Sequence, residues 1–201
     1  KDYFVTINKS IFLKEKNIII DKSIIIPKNY TVFILPGSKI TLKDNSFIYS
    51  NSAWNANGEK KNIIISGEKN NFGGGILIND KNNVSIFNNV EFSYLSGPEQ
   101  IIYNNKNYLS KNFIKYDDTK KNSFISEIKS IKKNDTLYTL NHVLYGALNF
   151  FNTEIIIKNV FFKKICSEDV LNIISSKFVI ENVYFEENCS DGIDIDFGEG
   201  D

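Results

Sequence analysis

The residues of this 201-residue chain best equipped for chemistry are carboxylates gathered towards its C-terminal end: Glu168, Asp169, Asp191, Asp194, Asp196 and Glu199, with Asp201 last. Asp194 and Asp196 stand two positions apart. In a β-strand that spacing puts both side chains on one face, about 6.5 to 7 Å from each other. Oxygen-rich groups of this kind ligate Ca²⁺, which takes several carboxylate and carbonyl oxygens. Paired carboxyls also supply the general acid and base of glycoside chemistry, where their separation sets the mechanism. Asp191, Asp194 and Asp196 are therefore the catalytic candidates and equally the candidate calcium ligands, and calcium is the one cofactor indicated. The competing reading is that these aspartates cap turns through side-chain to backbone bonds.

Other reactive side chains are sparse. A single histidine, His142, makes neither a metal site nor a catalytic triad by itself, and reads as a surface or cover residue. All 24 cationic side chains are lysine, so the bidentate fork that arginine offers to phosphate and carboxylate is missing. Twenty-four lysines balance 24 acidic residues with no basic block, which leaves no electrostatic footprint for nucleic acid. No run approaches the roughly 18 apolar residues that span a bilayer, so membrane insertion is not expected. Gly73–Gly75 follows no strand-helix pattern and reads as a turn before Ile76, not as a phosphate loop. Trp54 sits in Asn51–Gly58, a stretch read as a polar loop from which the indole could stack on a sugar ring or seal a turn.

The elements that would position these groups are strands. Short β-rich runs recur at Val32–Ile34, Lys39–Leu42, Phe47–Tyr49, Ile63–Ser66, Ile76–Ile78 and Val84–Ile86, bounded by Asn, Asp, Gly, Ser or Lys-Asn turns. Self-similarity then selects among all-β folds. GALNFFNTEIIIKNVFFKKICSE from Gly146 is followed 23 residues later by DVLNIISSKFVIENVYFEENCSD from Asp169, then by GIDIDFGEGD from Gly192. Ala147, Val170 and Ile193 fall in register, as do Ile157 with Ile180, Asn159 with Asn182, Val160 with Val183, Phe162 with Phe185, and Cys166 with Cys189. A repeat of this length holds three short strands with their turns, one rung of a parallel β-solenoid. Ile155, Ile157, Val160 and Phe162 should stack on Phe178, Ile180, Val183 and Phe185 as the interior, and Asn159 over Asn182 reads as a turn ladder.

Several placements follow from that register. Glu168 should lie beside Asp191. Cys166 and Cys189 should have Cα atoms near 4.8 Å apart, close enough for a disulfide and equally compatible with stacked buried thiols. Strict alternation from Ala147 makes Ala147, Asn149, Phe151, Val170, Asn172, Ile174, Ile193, Ile195 and Phe197 inward. It leaves Leu148, Phe150, Leu171, Ile173, Asp194 and Asp196 outward. An exposed apolar stack of that size requires a cover or a ligand. Trp54, Phe150, Glu168 and Asp169 thus complete the expected binding residues. The non-repeating segment 98–145 is expected to fold over this outer face, and residues 1–16 to cap the N-terminal edge, which would otherwise recruit other strands. The start at Lys1 without initiator Met or signal peptide, and the stop at Asp201 partway through a rung, suggest a chain cut from a longer one with other domains, its last rung truncated.

Through GALNFF, SEDVLNIISSKFVIENVYF and SDGIDIDFGEG, residues 146–201 resemble right-handed parallel β-helix proteins of the pectin-lyase-like superfamily. Within it they resemble bacterial β-helix modules that occur beside spore-coat-type kinase domains. The resemblance is specific over 146–201 and generic over 17–97. It implies one all-β domain, a right-handed single-stranded parallel β-helix with one non-repeating insertion, and carries no activity with it. Ser190–Asp196 resembles the Asp-Gly-Ile-Asp segment of polygalacturonases, yet the paired Gly-Asp-Asp and the Gly-His-Gly that complete that signature are missing. A pectate-type lyase would also want a lysine or arginine base on the groove.

Three functions fit the sequence: a secreted or cell-surface module binding a polysaccharide or protein partner on a sheet face; a polysaccharide lyase or glycoside hydrolase built on Asp191, Asp194 and Asp196; and a structural spacer. The first is favoured because no complete catalytic constellation is visible.

Overall fold

The computed structural model describes residues 3–97, 114–115 and 146–201. An antiparallel hairpin, β1 (Phe4–Ile7) with β2 (Ser10–Leu13), opens the chain. After it the described residues wind through about 6 turns of a β-solenoid, all β with no helix among them. Three strands make each early turn: β2, β3 (Asn17–Ile20) and β4 (Ile24–Ile26); β5 (Thr31–Ile34), β6 (Lys39–Leu42) and β7 (Phe47–Ser50); β8 (Ala53–Asn57), β9 (Ile63–Ser66) and β10 (Gly75–Ile78). Next come β11 (Val84–Asn88), β12 (Val90–Ser93) and β14 (Gly146–Phe151), with the two-residue β13 (Ile114–Lys115) between them in sequence. In the last two turns the first two strands fuse into single bent strands, β15 (Glu154–Lys163) and β17 (Lys177–Glu186), followed by β16 (Asp169–Ile174) and β18 (Asp191–Asp196); β19 (Glu199–Gly200) ends the chain.

Apart from the β1–β2 hairpin, every pairing between strands is parallel, rung on rung. One sheet joins β2, β5, β8, β11, β15, β17 and β19 along one face and β3, β6, β9, β12 and the second half of β15 along another. The other sheet runs β13-β4-β7-β10-β14-β16-β18. The bend inside the fused strands falls on Asn159 and Asn182, both at φ 53°, as is Asn89 one turn earlier. Asparagine tolerates this left-handed conformation, and its amide can pair along the stack. Asn182 Nδ2 donates to Asn159 Oδ1 at 3.2 Å, Asn159 Nδ2 to Asn88 Oδ1 at 3.0 Å, and Asn88 Nδ2 to Asn57 Oδ1 at 3.2 Å. The expected asparagine ladder is thus present and runs through four turns.

A second corner is stitched by small polar groups. Ser52 Oγ donates to the Pro27 carbonyl at 2.5 Å, Asp80 Oδ2 accepts from the Ala53 N–H at 3.0 Å, and Thr153 Oγ1 donates to the Asp80 carbonyl at 2.7 Å. Ser176 Oγ accepts from the Thr153 N–H at 3.2 Å. Each bond joins one turn to a neighbour, so backbone groups left over by the bend find partners. At Gly75, φ is 89° and a Cβ would stand 2.1 Å from the Ala147 carbonyl oxygen, so only glycine starts β10 this way.

The interior is a stack of like on like. Phe92, Phe162 and Phe185 lie ring over ring, with centroids 5.2 and 5.3 Å apart and planes within 13° and 9°. Ile155 pairs with Phe178, Ile157 with Ile180 and Val160 with Val183, matching the sequence register. Trp54 belongs here too. The polar residues around it were read as a loop, but they form β8, where Asn55 and Asn57 point outward while Ala53, Trp54 and Ala56 are fully buried. The indole stacks on Phe87 at 6.2 Å and cannot serve a ligand at the surface.

Cys166 and Cys189 are joined as a disulfide with Cα atoms 4.9 Å apart. Both residues are exposed, so the alternative of stacked buried thiols does not hold.

Of the insertion, only β13 is described; it adds to the free edge of β4, with Ile114 opposite Ile24. The remainder of the expected cover, His142 included, lies outside the described residues.

Two stability outcomes follow. Phe162→Ala should cost about 3–5 kcal/mol, because it opens a cavity in the middle of a three-ring stack; a urea midpoint close to wild type would contradict the stacking. Reducing the disulfide, which closes a 23-residue separation, should cost about 2–4 kcal/mol, read as a lower melting temperature with reductant. A Cys166→Ser variant should melt alike with and without it.

Candidate functional site

Two outer faces carry groups able to meet a ligand, and the first is the acidic one. Its geometry departs from the 23-residue step. Leu148 pairs with Leu171 at that step, but Leu171 pairs with Ile193 and Asn172 with Asp194, a step of 22. One residue has been lost between Cys189 and Asp191, so Asp191 sits over Asp169 and not over Glu168; its N–H still donates to the Glu168 carbonyl at 3.1 Å.

The ladders also skip Ala147–Val170, and both of these side chains join the core together with their neighbours Leu148 and Leu171. Two consecutive inward residues break the alternation and reverse the rest of β14 and β16, while the residue lost before β18 restores the expected facing there, with Ile193 and Ile195 in register with core residues and Asp194 and Asp196 on the outer side. Leu148, Phe150, Leu171 and Ile173 are therefore interior, at most 1% exposed, and Asn149, Asn172 and Ile174 are not in the core cluster. This overturns the expected outward apolar stack. Phe150 in particular is fully buried, edge-on to Phe87 at 5.8 Å, and is no binding residue.

What remains on the outer face is a polar series. Asn149 is fully engaged: its Oδ1 accepts from the Gly146 N–H at 3.0 Å, and its Nδ2 donates to the Gly146 carbonyl at 2.6 Å and to the Ile76 carbonyl of the turn below at 3.3 Å. One turn on, Asn172 Nδ2 donates to Asp169 Oδ2 at 3.3 Å, while its buried Oδ1 has no partner among the described residues. Beyond lie Asp194, paired in register with Asn172, and Asp191, paired with Asp169. Burial pushes the Asp169 carboxyl up to about 6, with the negative charges of Asp194 and Glu168 adding to the effect and the Asn172 bond opposing it. Asp196 pairs with Ile174 and is exposed, as is Glu168. Among the described residues no group of three or more His, Cys, Asp or Glu side chains is placed to hold a metal ion. A carboxyl raised by burial beside other acidic side chains has the makings of a general acid. Asp169 is only 6% exposed, however, which closes it to a polymer's glycosidic oxygen.

The second face lies on the outside of the second halves of β15 and β17, next to β12. Outward residues there form the rows Glu91–Phe161–Tyr184 and Ser93–Lys163–Glu186. The Phe161 and Tyr184 rings are 6.5 Å apart, and Tyr184 is 58% exposed. Lys163 Nζ meets Glu186 Oε1 at 2.6 Å, and that carboxylate holds the ammonium above its ordinary range. Lys158–Glu181 at 3.0 Å and Lys164–Glu187 at 3.3 Å repeat the same lysine-over-glutamate pairing. Lys164 also sits over the Tyr94 ring at 5.9 Å, and Phe72 meets that ring edge-on at 6.0 Å. None of these residues was singled out from the sequence. The available signal was the aromatic at 161 repeated at 184, one position before the core pair Phe162 and Phe185.

Comparison with known protein families, curated proteins and solved structures returned no match.

The raised Asp169 carboxyl has a definite sign. Its affinity for a proton is higher folded, at about 6, than at the ordinary 3.8, so its stabilising contribution is full below about pH 4 and is lost as pH rises through about 6. Asp169→Asn should accordingly raise stability near neutral pH by about 1–2 kcal/mol after allowing for screening by water, with little change below pH 4. Urea unfolding of both proteins at the two pH values measures this, and equal stabilities near neutrality would refute a buried, charge-crowded carboxyl.

Proposed function

We propose that the chain is a non-catalytic binding module for polysaccharide, a right-handed β-helix of the pectin-lyase-like kind from a longer bacterial protein, acting outside the cell or at its surface. The observation that carries the reading is the ladder of Phe161 and Tyr184, open to solvent beside Lys163 and Glu186. Pyranose C–H faces pack on aromatic rings, while sugar hydroxyls need charged donors and acceptors at the same height. Parallel rungs repeat such groups about every 4.8 Å, close to the rise of an extended sugar chain lying along the stack. A protein partner fits this face less well, because the pairs Lys158–Glu181, Lys163–Glu186 and Lys164–Glu187 fill it with charge, of which the cores of protein interfaces are depleted. The exposed disulfide supports an oxidising, extracytoplasmic setting.

One observation favours a second reading, a glycoside hydrolase or lyase on the acidic face: Asp194 and Asp196 stand two positions apart on the outer side of β18, Asp196 exposed and Asp194 partly so, with Asp191 at the start of the same strand.

Affinity electrophoresis against a panel of soluble acidic and neutral polysaccharides separates the two. The binding reading expects wild type to be retarded by at least one polymer without shortening it. Tyr184→Ala should weaken that retardation about tenfold, equivalent to ~1.4 kcal/mol, and Tyr184→Phe should retain most of it. Retardation unchanged in Tyr184→Ala, or none with any polymer, removes this site. New reducing ends or unsaturated uronides, abolished in Asp194→Asn, would replace binding by catalysis.

A further inference from the structure

The charges around the Phe161 and Tyr184 rings are already spent on each other. Lys158 meets Glu181 at 3.0 Å on the near side of the bend at Asn159. On the far side of the rings, Lys163 meets Glu186 at 2.6 Å and Lys164 meets Glu187 at 3.3 Å. Glu91, in the same outward row as the rings, accepts from Ser93 Oγ at 3.4 Å. Three lysines thus stand against four glutamates around the rings, a formal charge of −1. Each of the three cations has its carboxylate, and both members of every pair are partly open to solvent. Every pair joins β15 to β17 or the corners that follow them, so the pairing does not depend on what adjoins either end of the solenoid.

Uncharged hydrogen-bonding groups lie among these pairs. Asn159 and Asn182 are exposed at the bend, and each spends on the ladder one of the two N–H groups of its amide. Lys163 Nζ has three N–H donors and Glu186 two carboxylate oxygens, and their mutual contact uses one of each. A sugar hydroxyl both donates and accepts, so one hydroxyl can accept from the ammonium and donate to the second oxygen of the carboxylate without separating them. A uronate or sulfate in the same place finds no cation left to pair with, and meets Glu91, Glu181, Glu186 and Glu187 as like charges. Drawing Lys163 away from Glu186 would exchange one ion pair for another and strand a carboxylate. Arginine, which holds an anion by a two-pronged contact, is absent from the chain.

We propose that the polymer taken by this face is a neutral polysaccharide, an uncharged glycan whose sugar rings lie on Phe161 and Tyr184 while its hydroxyls bridge the lysine–glutamate pairs, and that acidic polysaccharides are rejected. The proposal rests on the reading of this face as a polysaccharide site and narrows it to one chemical class. Discrimination between glycans then comes from repulsion as much as from contact.

Polymers that share a backbone and differ in charge test this on the intact chain: hydroxyethyl against carboxymethyl cellulose, dextran against dextran sulfate, and methyl-esterified against de-esterified galacturonan. Affinity electrophoresis is run with chelator present, so that no divalent cation bridges two carboxylates. Wild type should be retarded by at least one neutral member, equally in low and high salt, and about tenfold less or weaker still by its charged counterpart. Glu186→Gln combined with Glu187→Gln, which leaves Lys163 and Lys164 without their carboxylates, should increase retardation by the charged member, and high salt should remove that gain. A charged member that binds as well as its neutral counterpart, with the retardation lost in Tyr184→Ala, overturns the neutral class while the site stands. A double variant that gains nothing also overturns it. Retardation by a neutral polymer that Tyr184→Ala leaves intact, or none by any polymer, removes the site and this inference together. Circular dichroism of each variant separates a changed preference from a changed fold.

Discussion

Everything in this molecule depends on the hydrogen-bond ladder between one turn and the next. A rung of three short strands has no partner within itself; its N–H and C=O groups are satisfied only by the rungs above and below. Once that ladder is set, like residues are brought within van der Waals reach of their repeats. Phe92, Phe162 and Phe185 become one stack, and Asn57, Asn88, Asn159 and Asn182 one chain of amides. The interior is held by burial and the corners by side chains that cross between turns. Lysine over glutamate at 158–181, 163–186 and 164–187 adds a smaller increment, since each pair is largely in water.

This dependence explains which features could be read before any coordinates. The identity of the fold rests on a constant step between similar residues, and that step is visible wherever side chains stack: Ile157 on Ile180, Val160 on Val183, Cys166 near Cys189. The asparagine ladder was legible for the same reason, because a bend repeated at one position demands the same residue each time.

Facing was less legible, because it changes sign with a single residue. The doubled inward pair at Ala147–Leu148 and Val170–Leu171, and the one position missing after Cys189, leave no mark on composition or hydrophobicity. The doubled pair reverses inside and outside for the rest of its own strand, and the missing position turns β18 back again. That is why Phe150 looked like a surface residue and Asp191 looked like the neighbour of Glu168. Trp54 was obscured differently: asparagines on the solvent side of a buried strand resemble a polar loop when read in line, and only period-two sorting separates Asn55 and Asn57 from Trp54 and Ala56. Within the acidic group the residue whose ionisation is most altered, Asp169, owes that to burial, which the sequence does not display.

The position of the disulfide has a mechanical meaning. Cys166 precedes β16 and Cys189 follows β17, so a pull on the C-terminus would travel from Cys189 straight to Cys166 and on into β15. The intervening 22 residues would carry no tension. Under traction the final strands could be peeled away, but β16 and β17 would stay slack behind a covalent shortcut, and rupture would have to begin again at a long, fully bonded strand.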